Sequence, residues 1–159
     1  MQHERNKTAV QVFCWVLVAI CMGTIFYFSS RTSTESSNQS GYFVLLFKKI
    51  LGNNAITDFI VRKFAHCLEF AGLSFLFNIA LFEQTNKIKP YLAILFSSLY
   101  AVTDEIHQIF VYGRSCQLKD WAIDTLGAII GTLIFIAIYF IIQKIIKCKK
   151  AKQIDTVMN

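Results

Sequence analysis

The sequence predicts an all-α integral membrane protein, a four-helix bundle with a short amphipathic interfacial helix between the first two spans. The first observation is composition, since 55% of the 159 residues are hydrophobic and only 16% are charged, whereas roughly a quarter of a soluble domain is charged. The second is that the apolar residues form four runs of about the 20 residues that a helix needs to cross a bilayer. This hydrophobicity also excludes a disordered chain.

The first predicted span covers about residues 8–28 and follows Arg5 and Lys7. Its front resembles a signal peptide, but the apolar stretch is long and no small-residue cleavage site follows, so we expect a retained anchor. The other spans are predicted at residues 60–82, 91–111 and 121–142. The whole chain, 1–159, is then one membrane domain that ends in a basic tail, 143–159.

Lysine and arginine placement predicts that both termini lie in the cytoplasm. With this orientation nine cations flank the spans on the inner side and seven on the outer side. Cytoplasmic loops carry the excess of positive charge, and a lysine-rich tail suits anionic lipid. We therefore expect a multi-pass protein of the bacterial plasma membrane. Five of the sixteen cations lie in this tail, so we attribute the net charge of +6 to contact with lipid, and no nucleic-acid partner is expected.

The connection between the first two spans changes character along its length. Residues 29–40 are rich in Ser and Thr, which suits a solvated loop. The apolar residues that follow can share one face of a helix, opposite Lys48 and Lys49: Tyr42, Phe43, Leu46, Phe47, Ile50 and Leu51. This segment is too short to span, so we predict a helix in the outer interface. An ordinary amphipathic packing helix fits the same pattern.

The last three spans carry ionisable residues, which are costly in a bilayer and are therefore candidates for function. They stand at helical spacing: Arg62, His66 and Glu69 on the second span, Asp104, His107 and Gln108 on the third, and Asp120 and Asp124 on the fourth. Glu105 is expected to point about 100° away from its neighbours' face. Gly127 and Gly131 continue the fourth stripe and would allow close helix packing.

The predicted topology brings these three stripes to one level. Glu69 and Asp104 would each lie roughly 10–12 Å below the outer end of their span. The loop that follows the third span, with Arg114, would cover them. We therefore expect one polar pocket that opens to the outside of the cell.

Several kinds of chemistry fit such a pocket. A metal site is suggested by two His and two carboxylates at helical spacing, His66, Glu69, Asp104 and His107. The nearby cations Arg62, Lys63 and Arg114 would repel a metal ion, so neither a metal nor another cofactor is predicted.

Acid–base catalysis is a second interpretation. His66 or His107 would be the base, oriented by Glu69, Asp104 or Glu105. Arg62 and Arg114 would bind a phosphate or carboxylate of a lipid-linked substrate. The predicted substrate-binding residues also include Lys63, Gln108, Asp120 and Asp124. Attack by Ser29 or Ser115 has no nucleophile motif to support it. A structural network of paired charges and ligand binding without chemistry remain open as well.

Five stretches of the chain carry a family resemblance: Arg62–Phe70, Leu99–Gln108, Gly113–Ser115, Lys119–Asp120 and Ile123–Ala128. Together with the serine-rich segment 29–40, they resemble the VanZ-like membrane proteins. The run Asp-Glu-x-His-Gln followed by Gly-Arg-Ser is the most specific part. The family takes its name from low-level resistance to teicoplanin, a lipoglycopeptide that targets cell-wall precursors outside the membrane.

The resemblance implies a protein that lowers susceptibility to lipoglycopeptides by binding or modifying a lipid-linked component of the cell envelope. The expected partners are a membrane lipid or lipid-linked envelope precursor, or the lipoglycopeptide itself. An intramembrane hydrolase or transferase that uses His66 and His107 is the alternative. An accessory or structural membrane protein without a ligand is the third possibility. The sequence does not predict the oligomeric state.

Overall fold

The computed structural model of the chain describes residues 2–32, 34–36, 41, 44 and 57–158. Four long helices account for most of them: α1 (Gln2–Ser29), α2 (Asp58–Thr85), α3 (Pro90–Gln108) and α4 (Leu118–Met158). No strand occurs in the part of the chain that is described, which confirms the all-α prediction. The predicted interfacial helix falls, apart from Val44, outside the described residues.

Three of these helices are long and apolar enough to cross a membrane. Their apolar stretches are Asn6–Ser29, Ile60–Thr85 and Leu118–Lys150, and they coincide with the first, second and fourth predicted spans. The third predicted span corresponds to α3, which has 19 residues and does not belong to this set. Its last two turns carry Asp104, Glu105 and His107, which lower its hydropathy.

Two helix ends differ from the prediction. The third span was expected to reach residue 111, but α3 ends at Gln108 and turns follow. The chain reverses there through Gly113, whose φ of 76° is available to glycine without steric cost. At the other end of the chain the predicted tail, 143–159, is a continuation of α4 up to Met158. No Gly or Pro interrupts the sequence after Gly131, so helix propensity carries the helix past the apolar stretch.

α2 packs against each of the other three helices. Its residues Phe70, Leu73 and Phe77 form the core together with Val18 and Ile25 of α1. Small residues bring α4 onto α2, as the sequence predicts: a Cβ atom on Gly127 would overlap the carbonyl oxygen of Cys67, and one on Gly131 that of Ala71. Backbones in such close contact fix how far α4 can slide or rotate along α2.

A polar link lies in the middle of the α2–α4 contact. The hydroxyls of Ser74 and Thr132 are 2.7 Å apart, and Asn78 Nδ2 donates to Thr132 Oγ1 at 3.0 Å. All three side chains are buried. Hydrogen bonds between helices are common in membrane bundles, and these fix the register of two of the three helices that carry the site described next.

Burial in this protein is inverted relative to a soluble domain. The carboxyl-bearing residues Asp104, Glu105 and Asp124 are at most 3% exposed, whereas Leu133 and Phe140 of α4 are 59% and 62% exposed. Charged side chains in membrane proteins face the bundle interior while apolar side chains face lipid. The protein is therefore a membrane protein whose polar groups are gathered inside the bundle.

Candidate functional site

One end of the bundle holds a cavity of about 160 Å³. Its wall is formed by the first turns of α2, the last turns of α3, the loop 109–117 and the first turns of α4. Each of these elements comes from a stretch that the sequence singled out for its ionisable residues. The cavity is thus the place where the polar faces of three helices meet.

α2 contributes Arg62, Lys63 and His66 to the cavity wall. Thr57 caps the start of this helix, its hydroxyl accepting a hydrogen bond from the backbone N–H of Ile60. Arg62 and His66 are separated by one turn and therefore share a face. The predicted residue Glu69 does not line the cavity. Its Oε2 lies 3.6 Å from Nδ1 of His66, too far for a hydrogen bond, and this buried nitrogen has no hydrogen-bond partner among the described residues.

α3 contributes Glu105 and Gln108. Glu105 accepts a hydrogen bond of 2.8 Å from the backbone N–H of Gln117, and Gln108 Nε2 donates to Asp104 Oδ2 at 2.9 Å. Asp104 contacts the cavity residue Gln108 but does not itself line the cavity. Its other oxygen, Oδ1, is buried and has no hydrogen-bond partner among the described residues.

α4 contributes Asp120 and Asp124, which are one helical turn apart. Asp120 forms an ion pair with Lys63 of α2. Asp124 is only 2% exposed, and its Oδ1 has no hydrogen-bond partner in the described part of the chain. An uncompensated carboxylate is costly in such surroundings, so Asp124 is the residue of the cavity that most needs an explanation.

Arg114 joins the cavity to α1. Its Nε donates to the carbonyl oxygen of Arg31 at 2.9 Å and its Nη2 to that of Phe28 at 3.4 Å. These carbonyls lie at and just beyond the C-terminal end of α1, where helices leave acceptors unsatisfied. Burial, and next the positive charge of Arg62, lower the pKa of Arg114, although a guanidinium stays protonated at neutral pH. Two guanidinium groups are thus close enough to repel each other.

The cavity has an ordered distribution of charge. Its half-buried residues include the cations Arg62, Lys63 and Arg114, and we call these three the rim. Its fully buried acids are Glu105 and Asp124, which we call the floor. Among the residues that the structure describes, no group of three or more His, Cys, Asp or Glu side chains could hold a metal ion.

His107 lies outside the cavity lining, on the side of α3 that faces α1. Its ring packs against that of Phe26, with centroids 4.3 Å apart, and its Nε2 lies 3.0 Å from the hydroxyl of Ser30. The expectation that both histidines share one pocket is therefore not met, because only His66 lines it. Glu105, expected to point away, lines it instead.

The sequence analysis also missed two residues. Ser29, rather than Ser30, was considered as a nucleophile, but Ser29 is completely buried and Ser30 is the one that reaches His107. Gln117 was not considered, although its N–H holds Glu105 and its side chain lines the cavity. Both contacts depend on how turns direct the chain, and no periodic pattern marks such positions.

Comparisons with known proteins support the family resemblance. A family model described as VanZ/LLP1 matches residues 13–142, which is most of the chain and includes all of α2, α3 and the cavity. The match confirms the predicted family. No curated protein matches the chain, and no solved structure does.

Proposed function

We propose, from the premise that the chain belongs to the VanZ/LLP1 family, that it binds the phosphate-bearing head group of a membrane lipid or a lipid-linked envelope component. The head group would enter the cavity, and its binding would lower the susceptibility of the cell to lipoglycopeptides such as teicoplanin. The observation that carries this proposal is the cavity itself. It is a concave, charged site at one end of a bundle that otherwise exposes apolar side chains.

The rim is suited to a phosphate. Arg62 and Arg114 belong to different elements and lie close enough for one charge to lower the pKa of the other guanidinium. An anion between them would relieve that repulsion. Guanidinium groups bind phosphate oxygens with paired hydrogen bonds. Lys63 adds a third positive charge, which its ion pair with Asp120 holds in place.

The proposal includes four spans. α3 has 19 residues, which give about 28 Å of helix, close to the roughly 30 Å of a hydrocarbon core. Its exposed side chains include Leu95, Leu99 and Ile106, while Ser97 and Asp104 are buried. A helix with apolar residues outside and polar residues inside suits a position among other helices in lipid.

Four spans place both termini on the same side of the membrane. The cytoplasmic side is favoured because the lysine-rich end of α4 and the α2–α3 loop then follow the positive-inside rule. The cavity, at the opposite end of α2 from that loop, would then open toward the outside of the cell. Lipid-linked cell-wall precursors are exposed to lipoglycopeptides on that side.

Reporter fusions test the topology. A fusion after Lys89 is expected to report the cytoplasm and a fusion after Cys116 the outside. A cytoplasmic signal from the Cys116 fusion would contradict the outward-facing cavity.

Antibiotic susceptibility tests the function. The chain is expressed in bacteria without a copy of their own, and growth is measured in teicoplanin and in a glycopeptide that has no acyl tail. The wild-type chain should protect against teicoplanin, and Arg62→Gln should reduce this protection at an equal membrane level. Lys87→Gln, which removes a cation beyond the other end of α2, is the matched control. Full protection by Arg62→Gln would refute a role for the rim.

A hydrolase or transferase is a second candidate, and the contact between Ser30 and His107 favours it. In the structure the Ser30 hydroxyl donates to the carbonyl oxygen of Phe26 at 2.7 Å, so it would first rotate toward His107 Nε2, 3.0 Å away. His107 would then accept the hydroxyl proton as Ser30 Oγ attacks an acyl ester of a lipid, and would return that proton to the alcohol oxygen that leaves as the ester bond breaks. Water would release the acyl group from Ser30 by the same route. A serine-reactive fluorophosphonate should then label the purified protein. Ser30→Ala and His107→Gln should abolish labelling, and Ser115→Ala, at a neighbouring exposed serine, should not. Absence of labelling in the wild type would argue against this candidate.

A further inference from the structure

We infer that the head group bound in this cavity is zwitterionic: a phosphate at the rim is linked to a protonated primary amine that reaches the floor, as in phosphoethanolamine lipids. This inference rests on the proposed function and names its ligand class. The observation behind it is that half-buried cations and two fully buried acids line the same cavity, and that Asp124 has an unsatisfied oxygen there.

Burial separates the two charges of the cavity. The side chains of Lys63 and Asp120 are 21% and 27% exposed, whereas Glu105 and Asp124 are 3% and 2% exposed. Asp124 follows Asp120 by one helical turn, so its carboxyl lies about one turn, or 5–6 Å, deeper along α4 than the ion pair of Lys63 and Asp120, while Glu105 is held at the start of α4 by the N–H of Gln117. The two-carbon link of phosphoethanolamine separates phosphorus and nitrogen by a similar length.

The floor offers acceptors that protein donors do not satisfy. Asp124 Oδ1 is buried and has no partner within the described residues. Glu105 Oε2 accepts one backbone hydrogen bond, from Gln117. A buried carboxylate is stable only when it is paired or neutralised. A primary ammonium group has three N–H donors, enough to reach both carboxyl groups, and its positive charge balances one of them in the ionised form.

The rim explains why the amine must be linked to an anion. A free cation would have to pass Arg62 and Arg114 and would be repelled by both, whereas the charge of Lys63 is offset by its ion pair with Asp120. A zwitterion approaches with no net charge, and its phosphate is attracted to the same groups that repel its amine. A quaternary amine such as choline carries the charge but has no N–H donor, and an anionic glycerol head group has no positive charge for the floor.

The test uses the purified full-length protein in detergent micelles. It is titrated with short-chain lipids that differ only in head group: phosphatidylethanolamine, phosphatidylcholine and phosphatidylglycerol. Binding is measured by native mass spectrometry. The wild type should bind the ethanolamine lipid about tenfold more tightly than the other two, the typical effect of a hydrogen-bonded charge. Soluble phosphoethanolamine that binds as tightly as the lipid would identify the free compound as the ligand.

Variants of the floor separate this inference from the proposed function. Asp124→Asn keeps the shape of the side chain and should remove the preference for ethanolamine while binding of phosphatidylglycerol persists. Glu105→Gln provides a second variant, should Asp124→Asn not fold. Glu83→Gln, the same change as in Glu105→Gln but at the other end of the bundle, should leave the preference intact.

Three outcomes would decide the matter. An ethanolamine preference that the floor variants abolish supports the inference. Equal wild-type binding of all three lipids, or a preference that survives both floor variants, overturns it but leaves the proposed function standing. Binding that is also insensitive to Arg62→Gln overturns both, because the lipid would then not occupy the cavity.

Discussion

Two regions of this bundle bury polar side chains, and they do so in different ways. In the middle of the α2–α4 contact the buried groups are uncharged, and the hydroxyls of Ser74 and Thr132 satisfy each other at 2.7 Å. At the cavity end the buried groups are acids, and Asp124 Oδ1 has no partner in the described part of the chain. Asn78 Oδ1 in the middle region also has no hydrogen-bond partner among the described residues, but an unsatisfied neutral amide costs much less than an unsatisfied buried carboxylate. This difference in charge indicates that the middle region serves assembly and the cavity serves a ligand.

The largest effect is expected in the middle region, from Gly131→Ala. The added Cβ would overlap the carbonyl oxygen of Ala71, and α4 would have to move away from α2. Overpacking of this kind costs about 1–3 kcal/mol, and the upper end applies because the neighbour is backbone. The measurement is resistance to unfolding by heat or denaturing detergent. At Gly23 nothing lies within 4 Å of an added Cβ, so Gly23→Ala should leave stability unchanged or slightly raised, and a similar loss there would contradict the close-packing argument.

A smaller loss is expected from Thr132→Val. The substitution keeps the shape of the side chain and removes the oxygen that contacts Ser74 and accepts from Asn78. Interhelical hydrogen bonds in membranes are worth about 0.6 kcal/mol on average and up to about 1.7, and two are lost here, so about 1 kcal/mol is expected. The control is Thr24→Val, since the Thr24 hydroxyl donates to the carbonyl of Ile20 in its own helix. Equal unfolding curves for the two variants would refute the assembly role.

At the cavity end the sign of the stability change should reverse. Asp124→Asn removes a buried charge whose Oδ1 is unsatisfied, so in the absence of lipid the variant should be as stable as the wild type or more stable by about 1 kcal/mol. Its teicoplanin protection should nevertheless be lost. Functional sites commonly trade stability for activity in this way. A variant that is less stable than the wild type and retains its protection would place Asp124 with the structural residues instead.

The same contrast explains what the sequence could predict. Hydropathy located α1, α2 and α4. Helical spacing placed Arg62 on one face with His66, and Asp120 on one face with Asp124, and both pairs line the cavity. Spacing within a helix gives relative angles, but it does not determine which neighbour each face meets. α3 is the example: the structure turns His107 toward Phe26 of α1.

The remaining site contacts depend on loops. Glu105 enters the cavity because the chain before α4 presents the N–H of Gln117 to its carboxylate. Arg114 reaches the end of α1 because the turn at Gly113 directs it there. Neither a turn direction nor a long-range hydrogen bond has a periodic signature. The polar stripes were therefore predictable from the sequence, and the way they combine into a cavity was not.

The smallest expected effect concerns the exposed segment after α1, beyond the cavity. Glu35 accepts from the backbone N–H and the hydroxyl of Thr32, both at 3.0 Å, and the Glu35 N–H donates back to that hydroxyl at 3.3 Å, which is a capping box. The hydrogen bond from the Thr32 backbone, then that from its side chain, and the charge of Arg31 lower the pKa of Glu35. The ionised form is therefore the one that stabilises this turn, so its contribution is present at neutral pH and is lost as the pH falls through the lowered pKa.

Carbon-13 NMR of the Glu35 carboxyl should show a titration below the ordinary range for glutamate. Thr32→Val, which removes the hydroxyl but keeps the backbone N–H, should move the titration only part of the way back, and a titration that does not move would mean that the backbone N–H and Arg31 suffice to hold the charge.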